Sequence, residues 1–139
     1  MSDATTTRAT EIKMNSAAPT FLVSDVGATA RWYQEQLGFA IAGAFPATEP
    51  YAYASLKRDG VEIMLLSLAD YQKPDLSALR PSGLWDVYVR MRGVQSFYES
   101  VKGRSFIKMP LTKQTYGDSE FEVRDPNGYV LVFSEHTAA

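Results

Sequence analysis

Carboxylates close to aromatic residues are the side chains in this sequence best suited to bind a ligand. Asp86 is flanked by Trp85 and Tyr88, and burying such a carboxylate is costly unless a partner pairs with it. Glu120 and Glu122 stand two residues apart further along the chain. Such groups can bind a cationic ligand, and carboxylate oxygens are also the ligands that hard metal ions prefer.

Nitrogen and sulfur ligands are scarce. The chain has no cysteine, which excludes disulfides, thiolate metal sites and cysteine nucleophiles. Its single histidine, His136, stands close to the C-terminus, and we interpret it as exposed rather than catalytic. Metal chemistry would therefore depend on carboxylates.

Composition limits the function classes. A chain of 139 residues suffices for one domain, and the net charge of -2 with scattered basic residues argues against nucleic-acid binding. No stretch approaches the roughly 18 apolar residues that a membrane span needs, so we expect no membrane partner. We expect a cytoplasmic protein with a flexible N-terminal arm, residues 1–16, before a single domain, residues 17–139.

Two segments have the spacing of amphipathic helices. The first begins after Ser24 or Asp25, either of which can act as an N-cap, and ends before Gly38. The second has apolar residues three and four apart over 94–101 and is followed by Gly103. Both patterns predict a short helix that buries one side.

Each predicted helix follows a strand, at 20–23 and at 85–91, and precedes a further strand and a hairpin. The hairpin turns are Asp59–Gly60 and Asp125–Gly128. The chain therefore repeats one order of elements, strand, helix, strand, strand, strand.

This repeat predicts an α+β fold of two βαβββ modules, at about 17–68 and 84–136, with a connector at 69–83. The helices would pack on one side of the strands. The other side would form a cleft or meet a partner.

Two stretches resemble a known family. FLVSDVGATARWYQEQLGF, residues 21–39, is similar to the opening signature of the glyoxalase/bleomycin-resistance/extradiol-dioxygenase superfamily, also called vicinal oxygen chelate proteins. FEVRDPNGY, residues 121–129, resembles its closing hairpin. The resemblance extends from about Pro19 to Glu135. It implies that the tandem modules form a half-open, cup-shaped mixed sheet with the helices on its outer face.

The resemblance also implies four positions at which metal-dependent relatives hold their ion. They correspond here to Ala18, Met64, Asp86 and Val132, of which one is a carboxylate. A catalytic zinc needs three protein ligands, and a non-haem iron needs two histidines and a carboxylate. We therefore expect neither a metal nor another cofactor.

One alternative keeps a metal. A carboxylate-only site could combine Asp86 with Glu62, Glu120 and Glu122, and the protein would then be a metal-dependent lyase/isomerase or dioxygenase of the same superfamily. A second alternative is a dimerisation module that binds no ligand.

The main hypothesis is a metal-independent small-molecule binding protein. Metal-free relatives include drug-sequestering resistance proteins that act as dimers, which implies a homodimer and a drug-like or cationic aromatic ligand. Tyr51, Tyr53 and Leu66 could add apolar surface to the cup. The expected ligand-binding residues are Thr20, Leu22, Glu62, Met64, Trp85, Asp86, Tyr88, Arg90 and Val132.

Overall fold

The computed structural model describes residues 10–137, so residues 1–9 of the predicted N-terminal arm lie outside the described residues. The helices and strands follow one another in the order that the sequence predicts. In chain order they are β1 (Thr20–Val23), α1 (Val26–Leu37), β2 (Ala40–Phe45), β3 (Tyr53–Arg58), β4 (Val61–Ser67), β5 (Val87–Arg90), α2 (Val94–Val101), β6 (Ile107–Lys113), β7 (Asp118–Arg124) and β8 (Val130–His136).

The strands form two mixed sheets of four strands each, in the orders β1-β4-β3-β2 and β5-β8-β7-β6. In each sheet the first strand of the module runs parallel to the last, and the remaining pairs are antiparallel. The predicted α+β fold of two βαβββ modules is therefore confirmed. Each module builds its own sheet.

The two helices begin in different ways. Asp25 caps α1, since its carboxylate accepts a hydrogen bond of 3.0 Å from the Ala28 amide. The N-terminus of α2 has no such local cap, because glycine occupies that position. Glu135 of β8 replaces it and accepts hydrogen bonds from the amides of Gly93 and Val94 at 2.9 and 3.1 Å. A tertiary contact therefore fixes the start of α2.

One face of each sheet packs against a helix and is buried. Leu56, Ile63 and Leu65 of the first sheet are completely buried, as are Phe121 and Leu131 of the second. These residues belong to one hydrophobic cluster that extends through both modules. Each fully buried side chain of this size contributes roughly 1.5–3 kcal/mol of transfer free energy.

A polar contact joins the modules inside this apolar region. The hydroxyl of Tyr33 in α1 donates a 2.7 Å hydrogen bond to Asp125 in the β7–β8 turn. Asn127 of the same turn donates to the Thr29 hydroxyl at 3.0 Å. Burial raises the pKa of both Tyr33 and Asp125, and the nearby Asp125 charge raises that of Tyr33 further.

Tyr129 extends the same contact to β1. Its ring stacks on Phe21 with the centroids 4.0 Å apart, and its hydroxyl donates to the Leu22 carbonyl at 2.8 Å. The β7–β8 turn therefore holds both the helix and the edge strand of the first module.

We predict that Tyr33→Phe lowers the free energy of unfolding by about 1–3 kcal/mol, because the buried Asp125 oxygen loses its donor. Urea unfolding followed by tryptophan fluorescence measures the change. Tyr98→Phe is the matched control, since Tyr98 also packs beside Phe121 but its hydroxyl makes no hydrogen bond within residues 10–137. Equal losses in the two variants would contradict this role of the hydroxyl.

Candidate functional site

Each sheet has a second face that carries no helix. Residues paired across neighbouring strands point to the same face, so the register defines these surfaces. We call that of the first sheet the first open face; it carries Thr20, Leu22, Phe45, Tyr53, Ser55, Glu62, Met64 and Leu66. We call that of the second sheet the second open face; it carries Tyr88, Arg90, Asp118, Glu120, Glu122, Val132, Ser134 and His136.

The first open face is mainly apolar and partly exposed. Phe45 is 69% exposed and Leu66 is 39% exposed, while Leu22 and Met64 are half-buried. Its one carboxylate, Glu62, accepts a 2.6 Å hydrogen bond from the neighbouring Ser55 hydroxyl. Lys57 pairs in register with Glu62 and is exposed, so the apolar surface of this face also carries one cation without a partner within residues 10–137.

The second open face is acidic. Asp118, Glu120 and Glu122 alternate along β7, so all three side chains emerge on the same side, and all three residues are buried. Ionised carboxylates in such positions need donors or cations to offset the loss of water. The surrounding side chains show how far this need is met.

Glu122 is the best compensated of the three. Lys108 donates to one of its oxygens at 2.9 Å in an ion pair, and the Trp85 indole donates to the other at 3.0 Å. The Trp85 ring lies 5.1 Å from that of Tyr88 and is 41% exposed. Glu122 therefore fixes the Trp85 ring beside the three carboxylates.

Glu120 has hydrogen bonds but no cation. Glu120 is 1% exposed. One of its carboxylate oxygens accepts a 2.6 Å hydrogen bond from the Tyr88 hydroxyl, and the other accepts one from the Tyr116 hydroxyl. Within residues 10–137 no lysine, arginine or histidine side chain lies within ion-pair distance of it. The charge of Glu120 is thus compensated by two phenols alone.

Asp118 lies at the other end of the row. His136 contacts one carboxylate oxygen at 2.8 Å, and Ser134 donates to the other at 3.0 Å. The contact with His136, followed by those with Tyr88 and Ser134, lowers the pKa of Asp118 to about 2. Arg90 is a weaker partner, because it lies 3.6 Å away and is 76% exposed.

In this acidic cluster every carboxylate oxygen has at least one hydrogen-bond partner, but Asp118 and Glu120 share one of them. The Tyr88 hydroxyl lies 2.6 Å from Glu120 and 2.8 Å from Asp118, yet its single proton can be donated to only one of them at a time. Burial and the hydrogen bond to Glu120 raise the pKa of Tyr88 well above its ordinary value, so the phenol stays protonated. While both carboxylates are ionised, one of these two oxygen contacts has no proton.

A cleft of about 580 Å³ opens above this cluster. Two exposed aromatic rings, of Trp85 and Tyr116, stand at its walls. Its lining residues are Trp85, Tyr88, Arg90, Tyr116 and Asp118. Rings beside a carboxylate provide both stacking surface and charge for an aromatic cation.

The structure distributes the expected site residues over two surfaces. Thr20, Leu22, Glu62 and Met64 lie on the first open face, together with Tyr53 and Leu66. Trp85, Tyr88 and Arg90 lie at the second. Val132 also belongs to the second face but has no exposed surface, so it supports the sheet beneath the cluster.

Asp86 has partners within the chain that the sequence did not predict. Its carboxylate accepts a 2.8 Å hydrogen bond from the Val130 amide, and Lys73 of the connector lies 3.6 Å away. Lys73 also stands over the Tyr129 ring at 5.5 Å. Arg90 pairs with Asp118 and not with Asp86.

Sequence reasoning missed Asp118, Tyr116 and Lys108 as parts of the site. Asp118 continues the period of two that Glu120 and Glu122 already show in the sequence, and all three lie on β7. His136 is exposed as expected, yet it contacts Asp118.

The residues present do not fit a metal ion. In residues 10–137 no group of three or more His, Asp or Glu side chains is arranged to hold one. Of the four ligand positions that the family resemblance implies, Met64 and Val132 have no oxygen or nitrogen in their side chains, and Asp86 already pairs with Lys73. Glu62, the carboxylate of the other alternative, hydrogen-bonds Ser55 on a different sheet from Glu120 and Glu122.

The fold and the open faces define a class of tandem βαβββ proteins. A family model described as Glyoxalase/Bleomycin resistance protein/Dioxygenase superfamily matches residues 14–133. The chain belongs to this superfamily. No helix of the described part is long and apolar enough to cross a membrane.

Solved structures share this fold at low sequence identity. TioX from Micromonospora sp. ML1 is 18% identical with a TM-score of 0.69, covering 88% of this chain and 99% of its own. The bleomycin-binding protein from bleomycin-producing Streptomyces verticillus, complexed with copper(II)-bleomycin, is 17% identical with a TM-score of 0.62, covering 93% and 99%. A glyoxalase-related enzyme from Clostridium phytofermentans is 16% identical with a TM-score of 0.67, covering 91% and 98%. No curated protein sequence matches the chain.

Proposed function

We propose that the protein binds a cationic aromatic small molecule at the second open face without a metal, and thereby sequesters it. The observation that carries this proposal is the pair of buried carboxylates at the cleft: Asp118 lines it, and Glu120, bonded to the lining residues Tyr88 and Tyr116, has no cation beside it. A ligand with a positively charged N–H group would supply the missing positive charge.

The aromatic rings around the cluster favour a flat ligand. Trp85 and Tyr116 are partly exposed at the cleft, and the indole of Trp85 is held in place by Glu122. A cation over such faces gains about 0.5–2 kcal/mol, more when water is excluded. The volume of about 580 Å³ lies within the usual range of small-molecule sites.

The relatives support a binding role without defining the ligand. Two of the similar solved structures are bleomycin-binding proteins, one complexed with copper(II)-bleomycin and the other with bleomycin. The second is 19% identical to this chain with a TM-score of 0.64. At such identity the likeness extends to the fold, so the cationic aromatic class rests on the acidic cluster of this chain.

The proposal includes a homodimer in which the first open face of one copy covers the second open face of the other. The first face exposes apolar side chains, of which Phe45 and Leu66 are the most accessible, and the second has the polar groups. Such a contact would remove apolar surface from water and exclude water from the cleft. Two equal cups per dimer would result.

We predict that 2-naphthamidinium binds more tightly than its neutral isostere 2-naphthamide, by at least about 10-fold, since only the cation is attracted by the carboxylates of Asp118 and Glu120. Isothermal titration calorimetry in the presence of EDTA measures both affinities and removes loosely held metal. Glu120→Gln keeps the shape but removes the charge, so it should weaken binding of the cation by about 10- to 100-fold.

Glu35→Gln is the matched control, because Glu35 is exposed on α1 and has no partner within residues 10–137. Equal affinity for cation and amide, or equal effects of the two variants, would refute the cation site. Stoichiometric metal in the purified protein by inductively coupled plasma mass spectrometry, with loss of binding in EDTA, would favour the metal-dependent alternative.

We further predict that Leu66→Glu shifts the protein from dimer to monomer, because a charge would enter an apolar interface. Sedimentation equilibrium at micromolar concentration measures the state of both forms. Glu11→Gln, at an exposed position before β1, should remain dimeric. A monomeric wild-type protein would contradict the homodimer and leave the cation site to be judged by calorimetry alone.

A further inference from the structure

Because the two modules repeat the same order of elements, each has a hairpin turn that lies against the helix of the other, and these two contacts can be compared. At one contact the β7–β8 turn meets α1, and at the other the β3–β4 turn lies beside α2. Five residues separate β7 from β8, between Arg124 and Val130, but only two separate β3 from β4. The second contact therefore has a turn that is three residues shorter.

The shorter turn cannot reproduce the polar contact of the longer one. Asp59 follows β3 as Asp125 follows β7. Tyr98 of α2 corresponds to Tyr33 of α1, because the carbonyl of each accepts the amide that ends its helix. The hydroxyl of Tyr98 does not reach the shorter turn and makes no hydrogen bond within residues 10–137. Asp59 consequently forms no hydrogen bond or ion pair within residues 10–137. The hydrogen bond that closes the first contact has no equivalent here.

A groove of about 950 Å³ remains at this second contact. Its floor contains Phe39, Val89 and Phe133, each almost fully buried, and Phe97 of α2 forms part of its wall. Gly60 and Gly93 lie at its edges with no heavy atom near the position of an added Cβ, so the groove stays open there. An apolar ligand segment would meet aromatic and aliphatic surface.

The groove is positively charged. Three arginines and one aspartate are among its lining residues, and two of the arginines stand on its rim with different constraints. Arg58 is fixed, because it donates to the Leu37 carbonyl at 2.7 Å and stands 5.1 Å over the Phe97 ring. Arg92 has no hydrogen-bond or ion-pair partner in the described part of the chain.

The third arginine, Arg90, is engaged elsewhere. It pairs with Asp118 at 3.6 Å and lies over the Tyr88 ring at 5.2 Å, on the side of the acidic cleft. Arg90 therefore lines both cavities.

We propose that this groove is a second binding site that takes an amphipathic monoanion, such as a carboxylate with an apolar chain. The carboxylate would pair with Arg92, and with Arg58 beside it, while the chain lies over Phe97 and the buried floor. The Ser96 hydroxyl at the same wall has no partner within residues 10–137 and is available as a donor. The site is independent of the cation site proposed above.

Two-dimensional ¹H–¹⁵N NMR with octanoate, below its micelle concentration, tests this site. The amides of Gly60 and Gly93 should shift on titration, because both glycines line the groove and neither lies at the acidic cleft. Octanamide, which has the same chain without the charge, should bind at least about 10-fold more weakly. Shifts confined to the second open face would overturn the assignment.

Two variants test separately the contribution of the positive charge and that of the space in the groove. Arg92→Gln should weaken octanoate binding by about 10-fold, whereas Arg80→Gln in the connector should leave it unchanged. Ser96→Phe, at an exposed helical position, fills the groove and should abolish the shifts of Gly60 and Gly93. Equal affinity in wild type, Arg92→Gln and Ser96→Phe, or equal binding of octanamide, would overturn the proposal while leaving the cation site untouched.

Discussion

The second open face depends on one electrostatic constraint, the burial of three carboxylates on a single strand. Glu122 has Lys108 and Asp118 has His136 and a distant arginine, but Glu120 has only phenols. Tyr88 is therefore held between two carboxylates, and Trp85 is oriented by the third. The positions of the aromatic rings follow from the donors that these acids require.

The two modules have the same topology, but the contacts between their hairpin turns and helices differ. Where the longer turn meets α1, Tyr33 and Asp125 form a buried hydrogen bond and Tyr129 reaches β1. Where the shorter turn lies beside α2, no such bond forms and a basic groove remains. The contact with the shorter turn has a cavity of about 950 Å³, compared with about 370 Å³ beside the longer turn.

Local signals in the sequence were sufficient for the fold. The cap at Asp25, the glycine after α1 and the two hairpin turns act over a few residues, so their pattern predicted the repeat correctly. The pairing of Asp86 with Lys73 was not predictable in this way, because it joins the connector to the start of β5. The basic groove likewise depends on how the modules pack, which no local spacing encodes.

The indole resonances of the two tryptophans give the most direct test of the cation site. Trp85 donates to Glu122 at the acidic cleft, whereas Trp32 packs against Tyr33 and Phe106 in the core and serves as an internal reference. On titration with 2-naphthamidinium, the Trp85 indole ¹H–¹⁵N signal, assigned with Trp85→Phe, should shift while that of Trp32 stays in place. A titration that moves neither signal, or only that of Trp32, would contradict ligand binding at the second open face.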